Sequence, residues 1–239
     1  MKKVDVLAIG VHPDDVELGC SGTLVKSVKQ GMSVGICDLT QGELGTRGNA
    51  ELRLKEAEEA RQIIGASFRV NLGMEDGFFE VNKANKLKIV EVIRACRPDK
   101  VLINAPKDRH PDHGRSAQLE ADACFLSGLR KIETEWEGES QEAWRPKLVL
   151  HYIQDYYMDP AVVVDISDEW DQKLQSIKAF SSQFFNANSS EPESPISSKQ
   201  FLDVVEGRAM TYGRLIGTSY GEGYVAQRPV GVGSLGDLI

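Results

Sequence analysis

Along the first two thirds of the chain, short aliphatic runs alternate with segments of helical spacing, the pattern of βαβ units that feed a parallel sheet. Residues 4–10 predict a first strand ended by Gly10, and Leu18, Leu24, Val25 and Val28 fit a following helix that stops at Gly31. Residues 33–39 predict a second strand and the glycine-rich tract 40–48 a loop. Asn49 is placed to cap a helix running through Leu52, Ala57, Ala60 and Ile64 to Gly65. A short strand at 69–72, a loop at 73–77, a helix over about 86–96 stopped by Pro98, and a strand at 100–104 with its exit loop at 105–111 complete this part. Beyond it, 147–152 and 162–166 predict strands, 168–184 a helix with Asp168 near its cap, and 201–215 a last helix. Residues 186–198, with Pro192, Pro195 and many serines, read as a mobile surface loop, and the glycine-rich tail 217–239 has no period and reads as irregular. No repeat or shift of composition divides the chain. The expected fold is α/β, a Rossmann-like doubly wound, mostly parallel sheet with helices on both faces, in one domain over 1–239.

Composition narrows the function more than the fold. A chain of 239 residues, 41% hydrophobic and 27% charged, can bury a core without disulfides. Its 28 basic and 36 acidic residues give a net charge of −8, which repels phosphate backbones and anionic lipid headgroups and argues against nucleic-acid and membrane partners. No apolar run approaches the ~18 residues of a membrane span. Asp5 interrupts the apolar stretch after Met1-Lys2-Lys3, so no secretory signal is expected. Cys20, Cys37, Cys96 and Cys124 are scattered without a CxxC pair and read as reduced thiols of a cytoplasmic protein.

Ligands of open parallel sheets bind beyond the carboxyl ends of the strands. Two such ends carry unusual residues: the first strand leads into His12-Pro13-Asp14-Asp15, and the strand at 100–104 into Arg109-His110-Pro111-Asp112-His113. Three of the four histidines therefore fall on one rim. Imidazoles with a carboxylate suit Zn²⁺, and a catalytic zinc takes three protein ligands and keeps a position open. His12 and Asp15, three apart at the start of a helix, face one side, and His113 closes the set from the neighbouring loop. Asp14, between two ligands, suits a general base; His110 suits an acid or oxyanion donor, and Asp112 suits orienting a histidine. Two other classes remain open. The same three ligands make the facial triad of a non-haem Fe(II) oxygenase, and a sugar-binding or metal-sensing module without hydrolysis would use a similar pocket.

Other features have plainer readings. His151 lies in a strand and reads as a satisfied core histidine, Cys20 as packing, and Glu56, Glu58 and Glu59 as the solvated face of a helix. The tract 42–48 lacks the Gly-Lys-Ser/Thr ending of a phosphate loop, and Gly10, Gly19 and Gly22 make no dinucleotide fingerprint.

With both motifs in order, the chain resembles the LmbE-like, or PIG-L, family of zinc-dependent N-acetylglucosamine deacetylases. The likeness extends over Gly19 to Gly22, Arg53 and Glu56, Asp76-Gly77, residues 162–166 and the helix from Trp170 to Gln183. The loop 42–48 is similar to the branch that makes bacillithiol, which deacetylates N-acetylglucosaminyl-malate. Where much of the family reads HPDDE, Val16 here precedes Glu17, as in that branch. The resemblance implies zinc, with Fe²⁺ as an alternative occupant, on His12, Asp15 and His113, Asp14 as base and His110 at the oxyanion. It also implies that Arg53, Asp76 and Arg109 contact the small-molecule N-acetylglucosamine conjugate, and that the protein is a homo-oligomer, often a hexamer.

Overall fold

Strands whose every position is apolar or small are built for burial on both faces. In the computed structural model, which describes residues 1–187 and 189–239, this holds for β1 (Val6–Gly10); β2 (Val34–Thr40) is likewise buried at every residue, its one charged side chain, Asp38, being paired with Arg69. Position 188, inside the expected loop at 186–198, lies outside the described residues. The other elements are α1 (Asp15–Lys29), α2 (Ala50–Ile64), β3 (Phe68–Met74), α3 (Lys83–Cys96), β4 (Lys100–Ile103), α4 (Pro111–Leu126), the small hairpin β5 (Glu135–Trp136) and β6 (Glu139–Ser140), β7 (Leu148–Tyr152), β8 (Val162–Asp165), α5 (Trp170–Lys178), α6 (Lys199–Leu215) and β9 (Gly221–Ala226).

The central sheet runs β3-β2-β1-β4-β7-β9-β8. Neighbours from β3 to β7 pair in parallel, and β9 is antiparallel to both β7 and β8, so the sheet is mostly parallel. On one face Ile89 and Ile93 of α3 and Leu119 and Ala123 of α4 pack on Leu7, Ile9 and Val101. On the other, Val16, Cys20 and Leu24 of α1 pack on Val6, Ala8 and Ile36. A third cluster, with Ala60, Trp170, Ile177, Phe180 and Val205, joins α2, α5 and α6 behind α1. The chain forms one domain around this sheet. The expected caps are present: the Asn49 side chain accepts from the Leu52 amide, and Gly65 ends α2 in the left-handed region at φ 82°.

Four expectations need correction. The helix expected over 168–184 opens as a 3-10 turn at Ser167–Glu169 and ends at Lys178. Past that point the chain turns, burying Phe180 and Phe184 while Ser181 and Ser182 donate to Glu56. For the same reason Glu56 is buried, not part of a solvated face. The tail expected to be irregular supplies β9. The glycines of β9 are packing residues: a Cβ on Gly221 would come within 2.8 Å of the Gly213 nitrogen in α6. Finally, the strand exit at 105–111 passes directly into α4, with Pro111 in its first turn and His110 as its cap, so His113 sits on a helix and not in a loop.

Because β4 lies on the side of β1 opposite β2, the chain reverses its winding between β1 and β4. Such a switch point opens a crevice at the carboxyl ends of the strands.

Candidate active site

The crevice is where both motifs meet. The Val11 amide donates to Asn104 Oδ1 at 2.9 Å, which ties the exit of β1 to that of β4. The imidazoles of His12, His110 and His113 converge, with ring centroids 4.7, 5.7 and 5.3 Å apart. Asp15 lies between two of them: Oδ2 is 3.6 Å from His12 Nδ1 and Oδ1 is 3.2 Å from His113 Nε2. The far sides of both rings are also engaged. His113 Nδ1 meets Asp108 Oδ2 at 2.7 Å, and His12 Nε2 meets Asp76 Oδ1 at 3.0 Å and Asp112 Oδ2 at 3.5 Å.

These donors fit a divalent cation. Among the described residues, single donor atoms fall within 4.8 Å of one another in two sets, His12–His110–His113 and His12–Asp76–Asp112. The set expected from sequence, His12, Asp15 and His113, is in mutual contact, but the Asp15 carboxylate turns a different oxygen to each imidazole. Buried imidazole nitrogens with carboxylate oxygens are the donor mixture that Zn²⁺ and Fe²⁺ share. Carboxylates on the outer ring nitrogens orient such ligands and raise their basicity.

Asp15 is further held by side chains that sequence reasoning missed. Gln154 Nε2 donates to its Oδ1 at 2.7 Å, and Asn104 Nδ2 to its Oδ2 at 3.3 Å. Asn104 opens the exit of β4, and Gln154 follows β7, the next strand of the sheet, so position at a strand exit was the available signal. Asp108, whose carboxylate also accepts from the amides of Asp155 and Tyr156, was visible only as an acid beside the second motif.

Asp14 is set apart from these donors. It precedes α1 at φ 132°, a conformation few non-glycine residues adopt and one that gathers at functional sites. Arg53 reaches it from α2, donating through Nη2 to Oδ2 at 2.7 Å and through Nε to the Pro13 carbonyl at 3.0 Å. Burial pushes the Asp14 carboxyl up to about 6 despite Arg53, whereas His113 and His12 overcome burial at Asp15 and hold it well below the usual carboxylate range. Neighbouring carboxylates separated in this way take different roles. Burial and the two neighbouring imidazoles lower His110. A neutral His110 that accepts the Asp112 amide at Nδ1, 3.3 Å away, carries its proton on Nε2.

The remaining sequence candidates divide. Asp76 uses Oδ1 on His12 and accepts the Leu44 amide at Oδ2, 3.0 Å away. Asp112 accepts the Gly77 amide at 3.0 Å and reaches His12 and Arg115. Arg109 is exposed and donates to Asp155 Oδ2 at 2.6 Å. His151 is satisfied inside the sheet by the Asn104 carbonyl at 2.7 Å and by Gln227. All four cysteines are buried and free, none of them in the site. A cavity of ≈ 380 Å³ opens over the histidines, walled by Leu44 to Arg47, Ser194 to Ile196, Phe201 and Arg208. Its size suits a sugar conjugate. No helix among the described residues is long and apolar enough to cross a membrane.

Comparison with known proteins gives concordant matches. The family described as PIG-L, GlcNAc-PI de-N-acetylase, matches residues 7–124. Diacetylchitobiose deacetylase of Thermococcus kodakarensis is 30% identical over 229 residues, covering 91% of this chain and 81% of its own. A probable N-acetyl-alpha-D-glucosaminyl L-malate deacetylase 2 of Bacillus cereus is 27% identical, covering 74% of this chain and 83% of its own. Among solved structures, the conserved protein TT1542 from Thermus thermophilus superimposes with a TM-score of 0.85 at 34% identity, covering 97% of this chain and 98% of that one.

Proposed function

Because the chain belongs to the PIG-L family of de-N-acetylases, we propose that it hydrolyses the acetamide of an N-acetylglucosamine conjugate, and that this conjugate is N-acetylglucosaminyl-malate, on the route to bacillithiol. The observation that carries the hydrolytic part is Asp14: a buried carboxylate beside the histidine cluster, held by Arg53 in a strained conformation and not needed as a ligand. A binding module gains nothing from such a group. The malate part rests on the resemblance of the loop 42–48 and on the Bacillus cereus relative.

A divalent ion held by His12, Asp15 and His113, which we take to be zinc with Fe²⁺ as the alternative, supplies a Lewis acid and lowers the pKa of water at the site. Asp14, kept in place by the Arg53 guanidinium, accepts the proton of the attacking water at its carboxylate and returns it to the amide nitrogen as the C–N bond breaks, so that the free amine and acetate leave. His110 donates from Nε2 to the oxygen that gains charge as the acetyl carbon becomes tetrahedral; losing one such donor typically costs about 100- to 1000-fold in kcat. Asp112 sets the His110 tautomer through its amide and supports His12 through its carboxylate. Arg53 and Asp76 act through Asp14 and His12, which leaves Arg109 as the expected contact with the conjugate. The setting we assign is one catalytic domain over residues 1–239, cytoplasmic and homo-oligomeric, as a hexamer in the resembling branch.

Release of acetate, measured side by side on N-acetylglucosaminyl-malate and on a methyl N-acetylglucosaminide, tests the reading. Turnover of the malate conjugate with the higher kcat/KM supports it in full. Turnover of the methyl glycoside alone removes malate, and no acetate from either with metal-loaded protein removes the deacetylase.

A further inference from the structure

The protein carries a net charge of −8, yet the wall of its cavity holds two guanidinium groups on one carboxylate. Asp155, just past β7, receives Arg109 Nε at 2.6 Å on Oδ2 and Arg208 Nη2 at 3.4 Å on Oδ1. Arg208 also donates from Nη2 to the Asp155 carbonyl at 3.0 Å. Its Nε and Nη1, and both terminal nitrogens of Arg109, make no hydrogen bond to the described residues and are not buried, while both side chains line the cavity. The other acids lining the cavity are committed, Asp14 to Arg53 and Asp15 and Asp76 to the imidazoles. At this point of the wall two guanidinium groups therefore share one carboxylate and keep unfilled donors.

We infer that Arg208, which no sequence motif marked, forms with Arg109 a subsite for an anionic group on the aglycone of the substrate, a carboxylate or a phosphate. The inference rests on the deacetylase reading above and names the part of the site that selects among its substrates. The two terminal nitrogens of Arg109 offer parallel N–H groups that match either oxyanion, and Arg208, whose Nη2 is engaged by Asp155, adds charge and single N–H donors at Nε and Nη1. Arg208 is the more sheltered of the pair, its side chain 13% exposed against 42% for Arg109, so an anion bound there is less screened by water. A purely structural role, pinning the segment after β7 to α6, is already served from the same helix by Tyr212, whose hydroxyl donates to the Met158 carbonyl at 3.0 Å.

The test compares kcat/KM of wild type, R208M and R208K on three probes: N-acetylglucosaminyl-malate, N-acetylglucosamine 1-phosphate and a methyl N-acetylglucosaminide. Methionine retains the volume of the aliphatic stem, so packing is largely kept. R208M is expected to lower the anionic-to-neutral ratio on the order of 10- to 100-fold, mainly through KM, with R208K losing less because it keeps the charge without the fixed donor positions. A loss confined to the malate probe identifies a carboxylate subsite, and one confined to the phosphate probe a phosphate subsite. An unchanged ratio, an equal loss on all three probes, or a wild type with no preference for either anionic probe overturns the inference. If R208M does not unfold cooperatively, R208K alone decides, and an unchanged ratio in that variant is fatal. A wild type that releases acetate from none of the three probes refutes the deacetylase reading instead.

Discussion

Arg53 on α2 donates to Asp14 at 2.7 Å across the N-terminus of α1, and so joins a residue outside both histidine motifs to the carboxylate assigned as base. Both side chains are buried, so neither is held by water. Gly42 completes the arrangement: at φ +63° it accepts Arg53 Nη1 on its carbonyl, and a Cβ there would collide with the guanidinium.

If this pair sets the base, R53M lowers kcat by about 100-fold or more while bound metal stays at the wild-type level, since general-base catalysis is worth roughly 100- to 10,000-fold. Steady-state acetate release together with metal analysis checks it. A kcat within a few-fold of wild type would show that Asp14 does not depend on Arg53.

Asp14 and Asp15, adjacent in sequence, should fail in different ways. D15A is expected to lose stoichiometric metal after dialysis against a weak chelator, because Asp15 bridges His12 and His113. D14N is expected to keep the metal and lose turnover. Q154L, which removes the amide that donates to Asp15 Oδ1, should weaken metal affinity by roughly 10- to 100-fold in a chelator competition. Equal metal retention in D15A and D14N would remove Asp15 from the ligand set.

The parts of this site legible in the sequence were those written in short motifs at strand ends. His12, Asp15, His110 and His113 could be placed because aliphatic strands declare their own carboxyl ends and parallel pairing of β1 with β4 brings those ends together. The α/β sheet was legible for the same reason. Residues that act from a third element were not: Gln154 and Arg208 belong to no local pattern, and only the closing of β7 and α6 around the crevice gives them a role. The tail failed for a different reason. A strand that lies under α6 needs glycines for close approach, and glycines erase the alternation by which strands are recognised.

The thiols provide a check on the core that is independent of catalysis. All four cysteines are buried, and burial raises every one of their pKa values, that of Cys96 to about 12. The thiolate is the reactive form. Folded protein at pH 8 is therefore expected to show no fast reaction with a disulfide reagent, and all four thiols should react after denaturation. A fast stoichiometric reaction of even one thiol in the folded state would contradict the packing of α1, β2, α3 or α4, the elements that carry them.

The tail is tied into the fold through a buried ion pair, and the pair predicts how much the last strand matters. Lys173 Nζ on α5 donates to the Glu17 and Leu18 carbonyls at 2.9 Å each and to Glu222 Oε1 at 2.7 Å. Glu222 on β9 also accepts the amides of Gly22 and Thr23 and the Thr23 hydroxyl. One carboxylate thus joins β9 to α1 just beyond the first motif and to α5. Removing one partner of a buried pair strands the other charge, at a cost of about 3–5 kcal/mol. E222Q is expected to destabilise by that amount in denaturant unfolding, and K173M comparably, because Glu222 then keeps its charge without the ammonium. The double variant K173M/E222Q should lose less than the sum of the two, since no charge is left unpaired. Strict additivity, or wild-type stability in E222Q, would show that β9 is not coupled to α1 and α5 through this contact.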